Sequence, residues 1–496
     1  MAKRKRSPKE KPLVKKKRPR PLLSDLPMDI LHSIISRLPI RQAVRTSILS
    51  KNWKHVWCFR TNLKFSFKSL VHKKGSGIPR SFISEHVFIQ RVDAVLKQHS
   101  GIVEKMEVQF SPLHNEHAEH IDRWVQFAIA SKTKQLILDF ELQYPTKEPY
   151  SFPFQLFDAT SGSHLQSMKL GSVSLKQPGN IKVFLNLKKL ELVDVNINDE
   201  ELKFMLFNCN VLEFIGISRC KMLTTLHTPR PVNHLKHLQV SHCPLLQGIE
   251  LNFGLITLEY EGALMQLAPP STLRNVSIKS SDIGSALTYM FTEWPSTLPR
   301  LETLTLRCEE LKRTTLPNKP LKFLYLRHLR LELNFVSPGE RTDVLDLACL
   351  LEAAPVMEKL EVHMWVDYKL KRYRKRHSEL RSLPSHPHSH LKLVCVTGFY
   401  GQKDQLELAL HILRNSPVLE AMKIDPKPMV AAINVFLSYE DGPCFVDGYQ
   451  VAKKYLRKAD HRGVVDVIKV RRRDVKNVSP YDLVDPYWLA MIAEDE

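Results

Sequence analysis

One short apolar unit recurs along most of this chain: apolar, two variable, apolar, one variable, apolar. It stands as Val103-x-x-Met106-x-Val108, Leu165-x-x-Met168-x-Leu170, Leu187-x-x-Leu190-x-Leu192, Leu212-x-x-Ile215-x-Ile217, Leu235-x-x-Leu238-x-Val240 and Leu255-x-x-Leu258-x-Tyr260. It continues as Leu273-x-x-Val276-x-Ile278, Leu301-x-x-Leu304-x-Leu306, Leu326-x-x-Leu329-x-Leu331, Met357-x-x-Leu360-x-Val362, Leu391-x-x-Val394-x-Val396 and Leu419-x-x-Met422-x-Ile424. Many spacings fall in the range of about 20–29 residues, where each unit is one strand plus its return. The second and third apolar positions alternate like a strand with one buried face. A strand this short is unstable alone, but stacked neighbours make a parallel sheet with one continuous core. The spacing predicts helical returns at residues 200–207, 344–353 and 405–414. Leu350 to Glu358 also lines up with Ile412 to Glu420, a helix stopped by Pro355 or Pro417 before the next strand begins.

This arrangement divides each strand into two classes of position. Leu190, Leu238, Leu304 and Leu360 are expected inside. Glu191, Gln239, Thr305 and Glu361, between the apolar anchors, are expected to project outward in a row that no core constraint fixes. Those four are the candidate contacts for a partner protein.

The N-terminal part follows a different rule. Ile30, Leu31, Ile34, Ile35 and Leu38 recur at helical spacing and form one apolar stripe. Pro27 suits the first turn of that helix, Ser24 and Asp25 can take its free amides, and Pro39 closes it. A second helix is expected from Ile40 to Leu49 and a third from Ser50 to Trp57, with Trp53 and Trp57 closing a small core. The stripe is too wide for that core, so the physical reading is a docking module.

Leu26-Pro27-x-Asp29-Ile30-Leu31, Leu38-Pro39, Ala43-Val44-Arg45-Thr46-Ser47 and Leu49-Ser50-Lys51-x-Trp53, followed by Trp57, carry a family resemblance. This stretch resembles the F-box of plant F-box proteins with leucine-rich repeats. The resemblance implies a fold of class α/β, a three-helix F-box followed by a leucine-rich-repeat solenoid with irregular helical returns. It implies binding to the small adaptor subunit of a cullin ubiquitin ligase (SCF), and Leu26, Pro27, Ile30, Leu31, Ile34, Leu38 and Pro39 are the expected contacts. Residues 390–420, with Gly398-x-x-Gly401 and Asn415-Ser416-Pro417, resemble the F-box-associated (FBD) region of the same proteins. The expected organisation is a basic tail at 1–20, F-box at 21–62, early degenerate repeats at 63–164, and repeats at 165–380. FBD-like last repeats at 381–430 and an extension at 431–496 complete it.

The net charge is +21 over 496 residues. Met1 to Arg20 carry eleven Lys/Arg against Glu10, or +10 of that total. The clusters Lys3, Arg4, Lys5, Arg6 and Lys15, Lys16, Lys17, Arg18 cannot bury enough apolar surface to fold, and together they read as a nuclear import signal. The expected location is the nucleus, with the cytoplasm as a second site. No run of about 18 apolar residues suggests a membrane helix, and no membrane partner is expected. The eight cysteines form no C-x-x-C pair and read as buried thiols in a reducing compartment.

Catalytic patterns are not evident. The spacing His114-x-x-His117-x-Glu119-His120 matches no established metal motif, so no metal or cofactor is expected. His386-x-His388-x-His390 reads as a solvated loop. The basic run at residues 369–377 reads as a loop between repeats, with phosphate binding as the alternative. Two binding surfaces without a catalytic set make a tether, not an enzyme. The expected role is substrate receptor of an SCF ligase, joining an unnamed target to the adaptor and cullin. The rival readings are a basic nuclear protein associated with nucleic acid and an F-box protein with no degradation role.

Overall fold

The structure is a computed structural model. It describes residues 26–49, 53, 55–70, 85–111, 113–140, 147–157, 164–176, 184–227, 234–250, 254–263, 266–268, 272–280, 284–308, 321–335, 343–366, 372–375, 378–427 and 442–470. Both basic clusters of the tail, and the capping residues Ser24 and Asp25, lie outside these. The chain divides into two compact units, residues 1–110 with 120–134, and residues 111–119 with 135–496.

In the first unit two prolines set the helix starts. Pro27 (φ −55°) precedes Met28–Ser36 and Pro39 (φ −54°) precedes Ile40–Arg45. The fixed φ of proline suits this entry position. Pro39 therefore opens the second helix, and the first has already ended at Ser36. The second helix is shorter than expected and passes into a 3-10 turn, Thr46–Ile48. Thr46 Oγ1 donates to the Ala43 carbonyl at 2.6 Å, taking an acceptor that a continuing helix would use. Of the expected third helix, residues 50–52 and 54 lie outside the described residues, and the described part that follows is a 3-10 turn at Val56–Phe59. Leu31, Ile35, Ile40, Ala43, Trp53, Val56 and Trp57 are buried together with it. Arg60 finishes the module. Its guanidinium donates to the carbonyls of Ile35 (3.2 Å), Leu38 (2.7 Å) and Ser36 (3.2 Å), the free acceptors at the end of the first helix.

The strand Asn62–Ser66 pairs in parallel with Lys105–Gln109, Leu63 opposite Met106 and Phe65 opposite Val108. Between them runs Glu85–Gln98, which buries Phe88, Ile89, Val92 and Leu96. Asp93 on that helix accepts from Trp124 Nε1 (2.6 Å) and Arg123 Nη2 (3.1 Å), and lies 2.9 Å from His120 Nδ1. His120 thus anchors a helix pair.

The second unit is a long parallel sheet with irregular returns. Its strands follow one another in sequence order: Gln135–Asp139, Ser167–Gly171, Lys189–Val193, Phe214–Ser218, His237–Ser241, Thr257–Glu261, Asn275–Ser280, Thr303–Cys308, His328–Phe335, Lys359–Val366, Leu393–Thr397, Ala421–Asp425 and Val465–Val467. Equivalent unit positions sit opposite each other. Leu190 faces Met168 and Ile215, Leu304 faces Val276 and Leu329, and Leu360 faces Leu329 and Val394. These inward residues are all buried. One further regularity fixes the register. The carbonyl just before most of these strands accepts from two successive N–H groups of the next repeat: Lys188 from Glu213 and Phe214, Lys236 from Ile256 and Thr257, Arg274 from Glu302 and Thr303.

The returns vary. Asp199–Asn208 is helical, opened by a reciprocal cap in which Glu201 N–H donates to Asn198 Oδ1 and Asn198 N–H to Glu201 Oε2, both at 2.9 Å. Ala348–Ala353 and Lys403–Asn415 are helical as expected, the first entered through a 3-10 turn. Gly284–Thr297 is a helix the sequence reading missed, because Pro295 lies inside it. In the central repeats the returns carry short parallel strands instead, at Thr225–His227, Gly248–Glu250 and Gln266–Ala268. The array also runs past residue 430. Gly442–Val451 is helical, and Val465–Val467 pairs with the Ala421–Asp425 strand.

Candidate protein-interaction surfaces

The F-box stripe is split by the fold. Of the expected adaptor contacts, Pro27, Ile30 and Pro39 are exposed, while Leu26, Ile34 and Leu38 are half-buried. Leu31 is 1% exposed and packs inside the module, so it supports the surface from below and is not part of it. Four apolar side chains that the stripe argument did not include are exposed: Met28, Ile48, Leu49 and Phe59, with Ile48 at 84%. Their signal was present in the sequence as apolar residues off the helical stripe. Exposed apolar side chains concentrated in so small a unit mark an interaction surface.

The outward row of the repeats is also uneven. Gln239 is exposed, and Glu191 and Thr305 are half-buried, Glu191 lying 2.5 Å from Lys189 Nζ. Glu361 departs from the expectation, since it is buried. It holds Arg330 (3.2 Å), His363 (3.1 Å) and His328 (3.3 Å), and Lys359 as well. Burial acts to raise its pKa, but Lys359 and His363 outweigh burial and, with His328, hold the carboxyl down at about 2. The neighbouring outward positions Glu332, Asn334, His363 and Trp365 are buried too. The row is therefore closed at Glu361, where it is an internal ion-pair network, and open at Gln239. A two-residue alternation cannot report this, because closure depends on what lies beside the strand.

Three side chains line the end of the central strands. Asp194, Arg219 and His242 each follow a strand directly, with φ of 50°, 57° and 53°. Cys220 and Cys243, the next residues after two of them, are buried, and each thiol lies 3.6 Å from the carbonyl two residues back. Burial pushes Cys220 up to about 12, so these thiols are packing residues of the turn.

His114 Nδ1 accepts from the Glu116 N–H (3.3 Å), and Lys147 Nζ lies 2.7 Å from its Nε2. His388, expected in a solvated loop, is buried with its ring 5.8 Å from His411. Burial, then His411 and His386, push its pKa down to about 4. In the basic run, Arg372 donates to Asp447 (2.8 Å) and Gln450 (2.6 Å), and Tyr373 is buried. Arg374 and Lys375 stay exposed. Among the described residues, no helix is long and apolar enough to cross a membrane.

The family described as At1g61320/AtMIF1, LRR domain, matches residues 95–469, more than half of the chain. The F-box domain family matches residues 23–64. The F-box/FBD/LRR-repeat protein At1g13570 of Arabidopsis thaliana is 24% identical over 427 residues, covering 81% of this chain and 90% of its own length. The F-box/LRR-repeat protein At3g03360 of the same plant is 30% identical over 208 residues, 41% of this chain and 40% of its own. F-box/LRR-repeat protein 25, also from Arabidopsis thaliana, is 27% identical over 205 residues, 41% of this chain and 70% of its own. The chain therefore belongs to the At1g61320/AtMIF1 leucine-rich-repeat family and is a plant F-box/leucine-rich-repeat protein.

Proposed function

We propose that this protein is the substrate-recognition subunit of an SCF-type cullin ubiquitin ligase. The F-box surface binds the adaptor subunit, and the repeats hold a target protein. The observation that carries this reading is the set of exposed apolar side chains on the F-box unit, Met28, Ile30, Ile48, Leu49 and Phe59, on a module whose own core is already closed by Leu31, Ile35, Trp53 and Trp57. Such a tether contributes position alone: catalysis comes from its partners, through proximity and effective concentration. Residues 381–430 serve as FBD-like repeats, and the array continues beyond them to the Val465–Val467 strand.

The test is capture of the adaptor by the full chain. Ile30→Asp with Leu49→Asp is expected to lower capture by at least about a hundredfold, since burying two unpaired carboxylates costs several kcal/mol. Leu31→Ala is expected to lower it by a different route, by loosening the module, and so to lower its melting temperature as well. Full capture by the Ile30→Asp, Leu49→Asp variant would exclude this face as the adaptor surface.

The basic tail supports a nuclear location for the complex. Replacing Lys15, Lys16, Lys17 and Arg18 by alanine is expected to move a fluorescent fusion towards the cytoplasm. An unchanged nuclear signal would reject the tail as the import determinant.

A further inference from the structure

The strand ends of the central repeats enclose a groove of about 440 Å³. Asp194, Arg219, Lys221 and His242 line it, with Cys243 and Leu246 among its apolar wall. The charges are not balanced within it. Lys221 Nζ lies 3.4 Å from Asp194 Oδ1, and His242 Nε2 lies 3.2 Å from Glu261 Oε1. Arg219 is exposed and has no carboxylate partner among the described residues. Its backbone is anchored, because its main-chain N–H donates to the Ser241 carbonyl at 2.9 Å and Cys220 beside it is buried. A guanidinium lining a partly apolar groove presents a planar fork of donors that matches a carboxylate or a phosphate. The adjacent residues fit such a guest. Asp194 is already neutralised by Lys221, and Ser172 Oγ lies 3.3 Å from its second oxygen, so the acid does not repel an incoming anion at full strength.

We propose that this groove takes an oxyanion-bearing side chain, glutamate, aspartate or a phosphorylated serine, from an extended segment of the target protein, with Arg219 as its principal contact. This deepens the reading of the repeats as the target-binding half, and rests on it. The ligand's aliphatic or backbone portion lies against the Cys243 and Leu246 wall, and the Lys221 ammonium is shared between the incoming anion and Asp194.

The experiment uses the full chain and an array of short peptides of randomised sequence with one fixed central residue: glutamate, phosphoserine, glutamine or lysine. Glutamate or phosphoserine is expected to be retained at least about tenfold better than glutamine, as one charge-assisted forked contact gives. Preference for phosphoserine alone would assign a modified target, and preference for both an acidic one. Arg219→Glu is expected to abolish the preference with an unchanged melting temperature, while Lys236→Glu, exposed before the His237–Ser241 strand, keeps it. Equal retention of glutamate, phosphoserine and glutamine by the unaltered chain, no retention of any peptide, or a preference that survives Arg219→Glu would overturn the proposal. Adaptor capture is measured on the same preparations. A chain that prefers acidic peptides but takes no adaptor defeats the ligase reading and leaves the groove standing, and the reverse result does the opposite.

Discussion

Leu304→Asp is expected to unfold the repeats around it, whereas Gln239→Glu is expected to leave stability within about 0.5 kcal/mol of the parent. Leu304 is fully buried, and Val276 and Leu329 flank it on the adjoining strands. Truncating a leucine in such a place costs about 2–5 kcal/mol. The aspartate adds the cost of burying an unpaired acid, several kcal/mol more, or of protonating it. The total approaches the whole stability of a typical domain, about 5–15 kcal/mol. Stacked repeats depend on their neighbours, so the loss spreads along the array. Glu361→Ala separates register from exposure. Removing one partner of a buried ion-pair cluster costs about 3–5 kcal/mol, so this outward residue is expected to behave like a core residue. Thermal denaturation of the three variants decides the matter. A parent-like melting curve for Leu304→Asp would mean that the register is wrong, and a parent-like curve for Glu361→Ala would mean that its network stabilises nothing.

Every unit named from the sequence forms a strand, and the register follows from the apolar anchors, because an array of identical short strands is specified by one repeated pattern. Three of the strands that pattern recognition missed share a single cause. They have a polar residue at the first anchor: Arg60 before Leu63 and Phe65, Thr133 before Leu136 and Leu138, and Arg462 before Val465 and Val467. In two of the three the substitution is a device. Arg60 donates to the carbonyls of Ile35, Ser36 and Leu38, and Arg462 to those of Leu413 (3.0 Å), Ser416 (2.7 Å) and Pro417 (2.8 Å). Each arginine closes the C-terminal end of a helix, where acceptors are otherwise unsatisfied. Leucine could fill the space but could not supply the donors. The candidate surfaces were less legible for the same kind of reason. Whether Glu361 or Gln239 faces solvent depends on the residues of adjoining strands, and whether Leu31 or Ile48 is exposed depends on how short helices turn. Neither is a property of local spacing.

Gly448→Ala gives the sharpest test of the C-terminal end, because two principles predict opposite signs. Gly448 lies within the helix Gly442–Val451, where alanine is the better helix former by about 1 kcal/mol, so propensity alone predicts stabilisation. The packing predicts the reverse. A Cβ placed on Gly448 would lie 1.9 Å from the Phe399 carbonyl oxygen, a backbone atom that cannot swing aside. The loop carrying that oxygen is itself held. Gln405 Oε1 accepts from Tyr400 N–H (2.9 Å) and Gln402 N–H (3.3 Å), and its Nε2 donates to the Gly398 carbonyl (3.1 Å). Gly398 (φ 66°) and Gly401 (φ 78°) bracket the loop in the left-handed region, and a Cβ on Gly398 would lie 1.9 Å from the Met364 carbonyl. The loop therefore cannot yield without breaking the Gln405 contacts, and the helix must withdraw instead. Because the segment after this helix supplies the terminal strand Val465–Val467, the expected result of Gly448→Ala is a melting temperature lowered by several degrees. Amides of the Ala421–Asp425 strand that the terminal strand covers would exchange faster, with adaptor capture unchanged. A raised melting temperature would mean that propensity wins and that the helix does not dock on the Phe399 carbonyl. A lowered temperature with unchanged exchange at residues 421–425 would mean that the helix docks but does not hold the last strand in place.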